Sequence, residues 1–309
     1  MEITYLFYGK LSKETESIQN CQDAYQVVKN CFSIADGASD GGPYPEIWAD
    51  LLVDQFCENP NITKENWQDW LKPIQQKWLI EVKEKIKINR ENNNPSWFYN
   101  NKKLTEKKLP AAAAFIGVQL KNNILHVTIV GDCCLFVWQE NKFFQSVPYT
   151  KSSDFSSFPE YFASMEKNNK FAPQFIHWQI LNKKDKYIIL ATDAFAKWII
   201  ENIEAKENVY KTLLNISSQE QFENIIATAR KSKTIKLQND DVALIVAKIS
   251  KTKDLCSNDK SGTIKQNKPI EDAIPSQATV ETEKQKKENL LKKFWKLVKG
   301  ESDDNISDI

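Results

Sequence analysis

Glycine and arginine are both scarce in this chain. Usage of about 7% would give roughly 22 glycines in a protein of this length, whereas 8 occur among its 309 residues. Four of them, Gly37, Gly41, Gly42 and Gly131, stand beside or within a few residues of an aspartate, which suggests glycine placed where the backbone requires it. Arginine is limited to Arg90 and Arg230, so 40 of the 42 basic residues are lysine. Bidentate forks for phosphate or base edges have little part here, and a net charge of +1 gives no field-based case for nucleic acid. His126 and His177 are the only histidines and lie 51 positions apart, which excludes histidine-rich zinc sites. Both sit in strand-like surroundings that suit a structural role. There is no Gly-x-x-x-x-Gly-Lys-Ser/Thr loop and no Gly-x-Gly-x-x-Gly fingerprint, so the common nucleotide cradles are missing. Neither arginine lies six residues after a cysteine, which removes the cysteine-nucleophile phosphatase loop. The six cysteines form no Cys-x-x-Cys pair and read as reduced thiols of a cytoplasmic protein. No apolar run approaches the ~18 residues of a membrane span, and Ile3 to Tyr8 reads as a first strand rather than a signal peptide.

What the chain does have is a core: 41% hydrophobic against 27% charged residues excludes wholesale disorder. Periodic segments end near Ile249. The expected organisation is one domain over residues 1–250, a linker over 251–283, a basic helix over 284–299 and an acidic tail over 300–309. Tyr25 to Val28 and Cys31 to Ala35 read as a hairpin. Pro45 suits a first helical turn, with Trp48, Leu51, Leu52 and Phe56 at helical spacing. A second helix is expected from about Lys64 to Ile88, then strands at Ala113 to Leu120, Ile124 to Val130, Cys133 to Gln139, Phe175 to Leu181 and Tyr187 to Ala191. Helices at Ala194 to Ile203 and Gln219 to Lys231 precede a last strand at Val242 to Lys248. Runs of strands separated by helices predict an α+β fold with antiparallel sheets.

Aspartates recur at the ends of the apolar runs. Asp36 follows Cys31 to Ala35, Asp132 follows Ile129 to Gly131, Asp193 follows Tyr187 to Thr192, and Asp240 and Asp241 precede Val242 to Val246. One such carboxylate ordinarily caps a turn. Carboxylates at four converging strand ends repel one another unless a cation neutralises them. Oxygen donors without histidine or thiolate suit Mg²⁺ or Mn²⁺ rather than zinc.

These residues resemble the metal-dependent serine/threonine phosphatases of the protein phosphatase 2C type. The matches run in order as Gln22-Asp23-Ala24-Tyr25, Asp36-Gly37-Ala38-Ser39, Gly131-Asp132-Cys133, Ala191-Thr192-Asp193-Ala194 and Asp240-Asp241-Val242. With Ala111 to Val118 and Ser153-Asp154-Phe155 they span about Ile3 to Lys248. The resemblance implies a four-layer α/β/β/α sandwich with a two-metal centre at one edge. Asp36 would bridge two Mg²⁺ or Mn²⁺ ions, the carbonyl of Gly37 would bind one, and Asp193 and Asp240 would hold the other. Asp23 would orient water behind them, and Asp132 would serve a third, weaker position. The implied activity is hydrolysis of phosphoserine and phosphothreonine in proteins by a metal-bridging hydroxide, with a phosphoprotein substrate and a serine/threonine kinase as implied partners. The alternative is a weak or inactive 2C-like regulatory module that binds a kinase or phosphoprotein; a hydrolase for small phosphorylated metabolites is a third reading.

Several positions depart from the family pattern. Ala38 stands where many members carry a histidine, and Ser17-Ile18-Gln19-Asn20 where eukaryotic members place a phosphate-gripping arginine. Cys133-Cys134, Ala194, Ala243 and Asp40 also differ. Substrate positioning must then rest on metals, a lysine or backbone donors. In the segment 284–299, Leu290, Leu291, Phe294, Trp295, Leu297 and Val298 fall within an arc of roughly 160° with lysines outside it. That helix is expected to fray or pack back, or else to dock on an anionic membrane surface or a protein partner, which would place a cytoplasmic enzyme at the membrane periphery.

Overall fold

The computed structural model describes residues 1–38, 41–139, 142–156, 158–180 and 185–251. Residues 1–251 form one compact unit. Ser39, Asp40, nearly all of the segment 251–283 and the whole of 284–309 lie outside the described residues.

The chain order is β1 (Glu2–Leu11), β2 (Asp23–Val28), β3 (Cys31–Gly37), α1 (Pro45–Glu58), α2 (Trp67–Glu91), α3 (Ser96–Thr105), β4 (Ala112–Lys121), β5 (Ile124–Val130), β6 (Cys134–Gln139), β7 (Lys142–Val147), β8 (Phe162–Ala163), β9 (Gln174–Gln179), β10 (Lys186–Ala191), α4 (Asp193–Glu204), α5 (Val209–Leu214), α6 (Gln219–Lys231) and β11 (Val242–Ser250). One sheet runs β1-β11-β10-β6-β7 and the other β2-β3-β4-β5-β9, with β8 added beside β4. All of these pairings are antiparallel.

The layering follows from the side-chain period of two along each strand. In β4, Ala114, Ile116 and Val118 enter the space between the sheets with Ile34, Val127, Ile129, Leu190 and Ile245. Their neighbours Ala113 and Phe115 turn outward against α1 and α2, where Trp48, Phe56, Trp70 and Trp78 are buried. On the other sheet Phe136, Ile189 and Val246 face α4, α5 and α6 through Phe195, Ile199 and Phe222. Both faces of the central strands are therefore covered, which is why their sequences read as unbroken apolar runs. Each valine, leucine, isoleucine or phenylalanine among them contributes about 1.5–3 kcal/mol on burial.

Helix α2 shows the helical period plainly, burying Trp67, Trp70, Leu71, Ile74, Trp78, Val82 and Ile86 at spacings of three and four. It runs three residues beyond the expected end. Helices α3 and α5 and strands β7 and β8 are absent from the sequence reading. Helix α3 buries only Leu104 and so carries no periodic signal, and in β7 Phe144 points outward at 72% exposure, the pattern of an edge strand.

Candidate metal centre

The strand ends of both sheets meet at one edge, and the aspartates are there. Asp23 opens β2 and lies directly across from Asp36 near the end of β3, an opposition of like charges that costs stability unless something offsets it. Asp132 sits in the turn between β5 and β6, just after Gly131, whose φ is +90° and whose added Cβ would lie 2.4 Å from the Glu160 carbonyl oxygen. A side chain there would both strain the turn and strike the backbone. Gly37 is confined differently: a Cβ would come within 2.7 Å of the Gln22 carbonyl oxygen and 3.1 Å of that of Pro45. Asp193 is the first residue of α4, where partial positive charge favours a carboxylate, and it accepts the N–H of Ala194.

These carboxylates fall into two groups by exposure. Asp23, Asp132 and Asp241 are buried, whereas Asp36, Asp193 and Asp240 are half-buried at the edge. Asp241 is fully engaged in structure: it accepts the N–H of Lys13 at 2.9 Å and that of Gln22 at 2.8 Å, tying the end of β1 to the start of β11. Asp240 beside it accepts the Lys13 ammonium at 3.1 Å. In contrast, Asp23 Oδ2 and Asp132 Oδ1 are buried without a hydrogen-bond partner, an arrangement that native interiors rarely leave uncompensated.

Electrostatics reports the same deficit. Burial, and then the charge of Asp193 followed by those of Asp23 and Asp132, pushes the Asp36 carboxyl well above its ordinary range. Asp36 and Asp193 also act on each other, which raises Asp36 and partly offsets the rise of Asp193. Asp23 is raised by burial and by Asp193, Asp241 and Asp240, against a hydrogen bond from Thr192 that favours its charged form. Asp132 is raised by burial and Asp193; Asp193 by burial and Asp240, offset by Asp36, the Ala194 N–H and Lys13. Like charges held in a desolvated site behave in this way.

A divalent cation fits the donor set: hard carboxylate oxygens, two of them buried and unpartnered, and no described imidazole within the cluster. Among the described residues, no three such groups already stand in ligating positions around one point. The fit therefore rests on donor chemistry and the unmet acceptors.

Asp23, Asp36, Asp132, Asp193, Asp240, Asp241 and Gly37 thus all lie at this edge. Two further residues were not anticipated. Arg230 of α6 is buried and donates to the carbonyls of Ser12, at 3.3 and 3.4 Å, and Asp240, at 2.5 Å, so the backbone carrying Asp240 and Lys13 rests on it. Lys13 is the other. Cys133 and Cys134 are fully buried, and burial raises both thiols, so they act as packing. Asp154 caps a local turn through the N–H groups of Thr150 and Lys151. His126 and His177, remote in sequence, are cross-strand neighbours with ring centroids 4.8 Å apart. A groove lined by Trp198, Asn202, Val209, Ile225 and Ile235 opens beside α4, α5 and α6, and none of the cluster's carboxylates lines it.

No protein-family model and no curated protein matches this sequence. Solved structures do match its fold. The serine/threonine phosphatase PstP/Ppp of Mycobacterium tuberculosis aligns over 81% of this chain and 100% of its own, with 10% identity and a TM-score of 0.52. The catalytic domain of PstP, solved with two manganese ions, aligns over 81% of this chain and 99% of its own, with 10% identity and a TM-score of 0.50. The architecture is that of the protein phosphatase 2C type, two antiparallel sheets flanked by helices.

Proposed function

We propose that this chain is a divalent-cation-dependent phosphatase acting on phosphoserine and phosphothreonine in proteins. The reading is carried by one observation: Asp36, Asp193 and Asp240 stand half-buried at the converging strand ends, backed by Asp23 and Asp132 with unpartnered buried oxygens. The fold it shares with PstP supports it.

In this proposal Asp36, the Gly37 carbonyl, Asp193 and Asp240 hold Mg²⁺ or Mn²⁺, with Asp132 toward a weaker position. The ions would supply Lewis acidity and a nucleophilic water for attack on phosphorus. The chain's own part is to bind and orient. Thr192 accepts the N–H of Ala243 at 2.8 Å, coupling the start of α4 to β11. Ala38 follows Gly37, so no imidazole on that loop position serves the leaving group.

The test is release of phenolate from p-nitrophenyl phosphate with Mn²⁺, followed by phosphopeptide and phosphometabolite turnover. Expected are Mn²⁺-dependent turnover, its loss in Asp36→Ala, and preference for phosphopeptide. Equal negligible rates in wild type and variant, with Mn²⁺ bound to the wild type, would leave the regulatory module; preference for the metabolite would leave the small-molecule reading.

A further inference from the structure

The cluster brings together six carboxylates, and among the described residues one cation faces a proposed ligand directly. Lys13 Nζ lies 3.1 Å from Asp240 Oδ1. The other basic groups nearby are directed elsewhere: Lys10 donates to the backbone carbonyl of Asp23 at 2.7 Å, and Arg230 to the carbonyls of Ser12 and Asp240. The backbone of Lys13 is fixed independently of its ammonium. Its N–H is held by Asp241, Ser12 Oγ donates to the Glu16 carbonyl at 2.9 Å, and the Glu14 N–H donates to Asn239 Oδ1 at 2.8 Å. The Lys13 side chain is 25% exposed, against 34% for that of Asp240. The field of Lys13 also reaches Asp193.

We propose that Lys13 is an exchangeable counter-ion of this centre, holding Asp240 in the metal-free protein, yielding it to a divalent cation, and then positioning the substrate's phosphate. The inference rests on the phosphatase reading and adds to it a positioning residue on the β1 side of the edge, outside Ser17 to Asn20. The physics is competition for one oxygen. An ammonium at Asp240 offsets the repulsion among the carboxylates, but it also repels an incoming dication and occupies one of its donors. Once displaced, the ammonium would be the cation nearest the emptied position, on a backbone still held by Asp241.

Calorimetric titration of Mn²⁺ into EDTA-stripped wild type, Lys13→Gln, Lys13→Arg and Asp36→Ala tests the exchange. Lys13→Gln is expected to bind Mn²⁺ about threefold to tenfold more tightly, and to melt at lower temperature in EDTA. Lys13→Arg should restore wild-type behaviour in both. At saturating Mn²⁺, Lys13→Gln should raise KM for p-nitrophenyl phosphate about tenfold with a much smaller change in kcat, a split that a purely structural role would not produce. Unchanged or weaker Mn²⁺ binding by Lys13→Gln, with the wild type binding normally, overturns the exchange. Tighter binding with unchanged KM overturns the positioning role. If wild type and Asp36→Ala both bind no Mn²⁺, the phosphatase reading itself fails and this inference falls with it.

Discussion

Between the sheets, Ile34, Ile116, Leu190 and Ile245 are wholly buried among hydrocarbon. A few residues further along the same strands or their connections, Asp36, Asp193 and Asp241 crowd one edge. The interior is complete without any ligand. The edge is not, because two of its buried oxygens have no partner and its carboxyls are driven upward by burial and one another. A scaffold that is stable in one region can carry an electrostatic deficit in another, and the deficit is what a cation can use.

That contrast can be broken most forcefully from the interior. Ile116→Ala should lose about 2–5 kcal/mol in urea unfolding while Mn²⁺ affinity of the folded protein stays within twofold, roughly the error of such a comparison. Parallel losses of both would mean that the two regions are not separable. At the turn bearing Asp132, Gly131→Ala should cost about 1–3 kcal/mol, since its φ is +90° and the new Cβ meets the Glu160 carbonyl. The adjacent aspartates sharpen the comparison within the edge. Asp241→Ala strands the N–H groups of Lys13 and Gln22 and should cost about 1–3 kcal/mol. Asp240→Asn should change stability by less than about 1 kcal/mol, because its ion pair is solvent-screened, yet weaken Mn²⁺ about tenfold or more by calorimetry.

The smallest expected effect is a slope. Asp23, Asp36, Asp132 and Asp193 hold protons more tightly folded than unfolded, where the ordinary value is 3.8. Their contribution is thus fully present below that value and is lost as pH rises through their raised folded values. In EDTA, urea unfolding at about pH 5 and about pH 8 should show the metal-free protein less stable at the higher pH from these groups. Asp36→Asn should flatten that dependence. An unchanged slope in the variant would show that Asp36 does not contribute to it.

The hairpin of β2 and β3, the run of β4, β5 and β6, and the helices α1, α2, α4 and α6 were all legible, because each repeats an apolar residue at its own period. The aspartates were legible for the converse reason, as poor strand residues placed at the ends of good strands. Helix α3 was not, since Phe98 and Tyr99 remain exposed at 53% and 68% and leave no buried stripe to detect. Arg230 looks in sequence like a basic residue in the last turn of a helix, and only the packing of α6 near β1 turns it toward the Ser12 and Asp240 carbonyls.

The sequence by itself determined which segments alternate, which aspartates end them, and that the side chains recurring at those ends are carboxylates rather than imidazoles. Those properties are local, written in side-chain type and period. Tertiary structure alone decided that Asp241 supports the backbone while Asp240 faces Lys13, that two carboxyl oxygens are buried unpaired, and that His126 meets His177. Such distinctions depend on where separate strands end relative to one another, and burial, field and hydrogen bonding exist only once those ends have met.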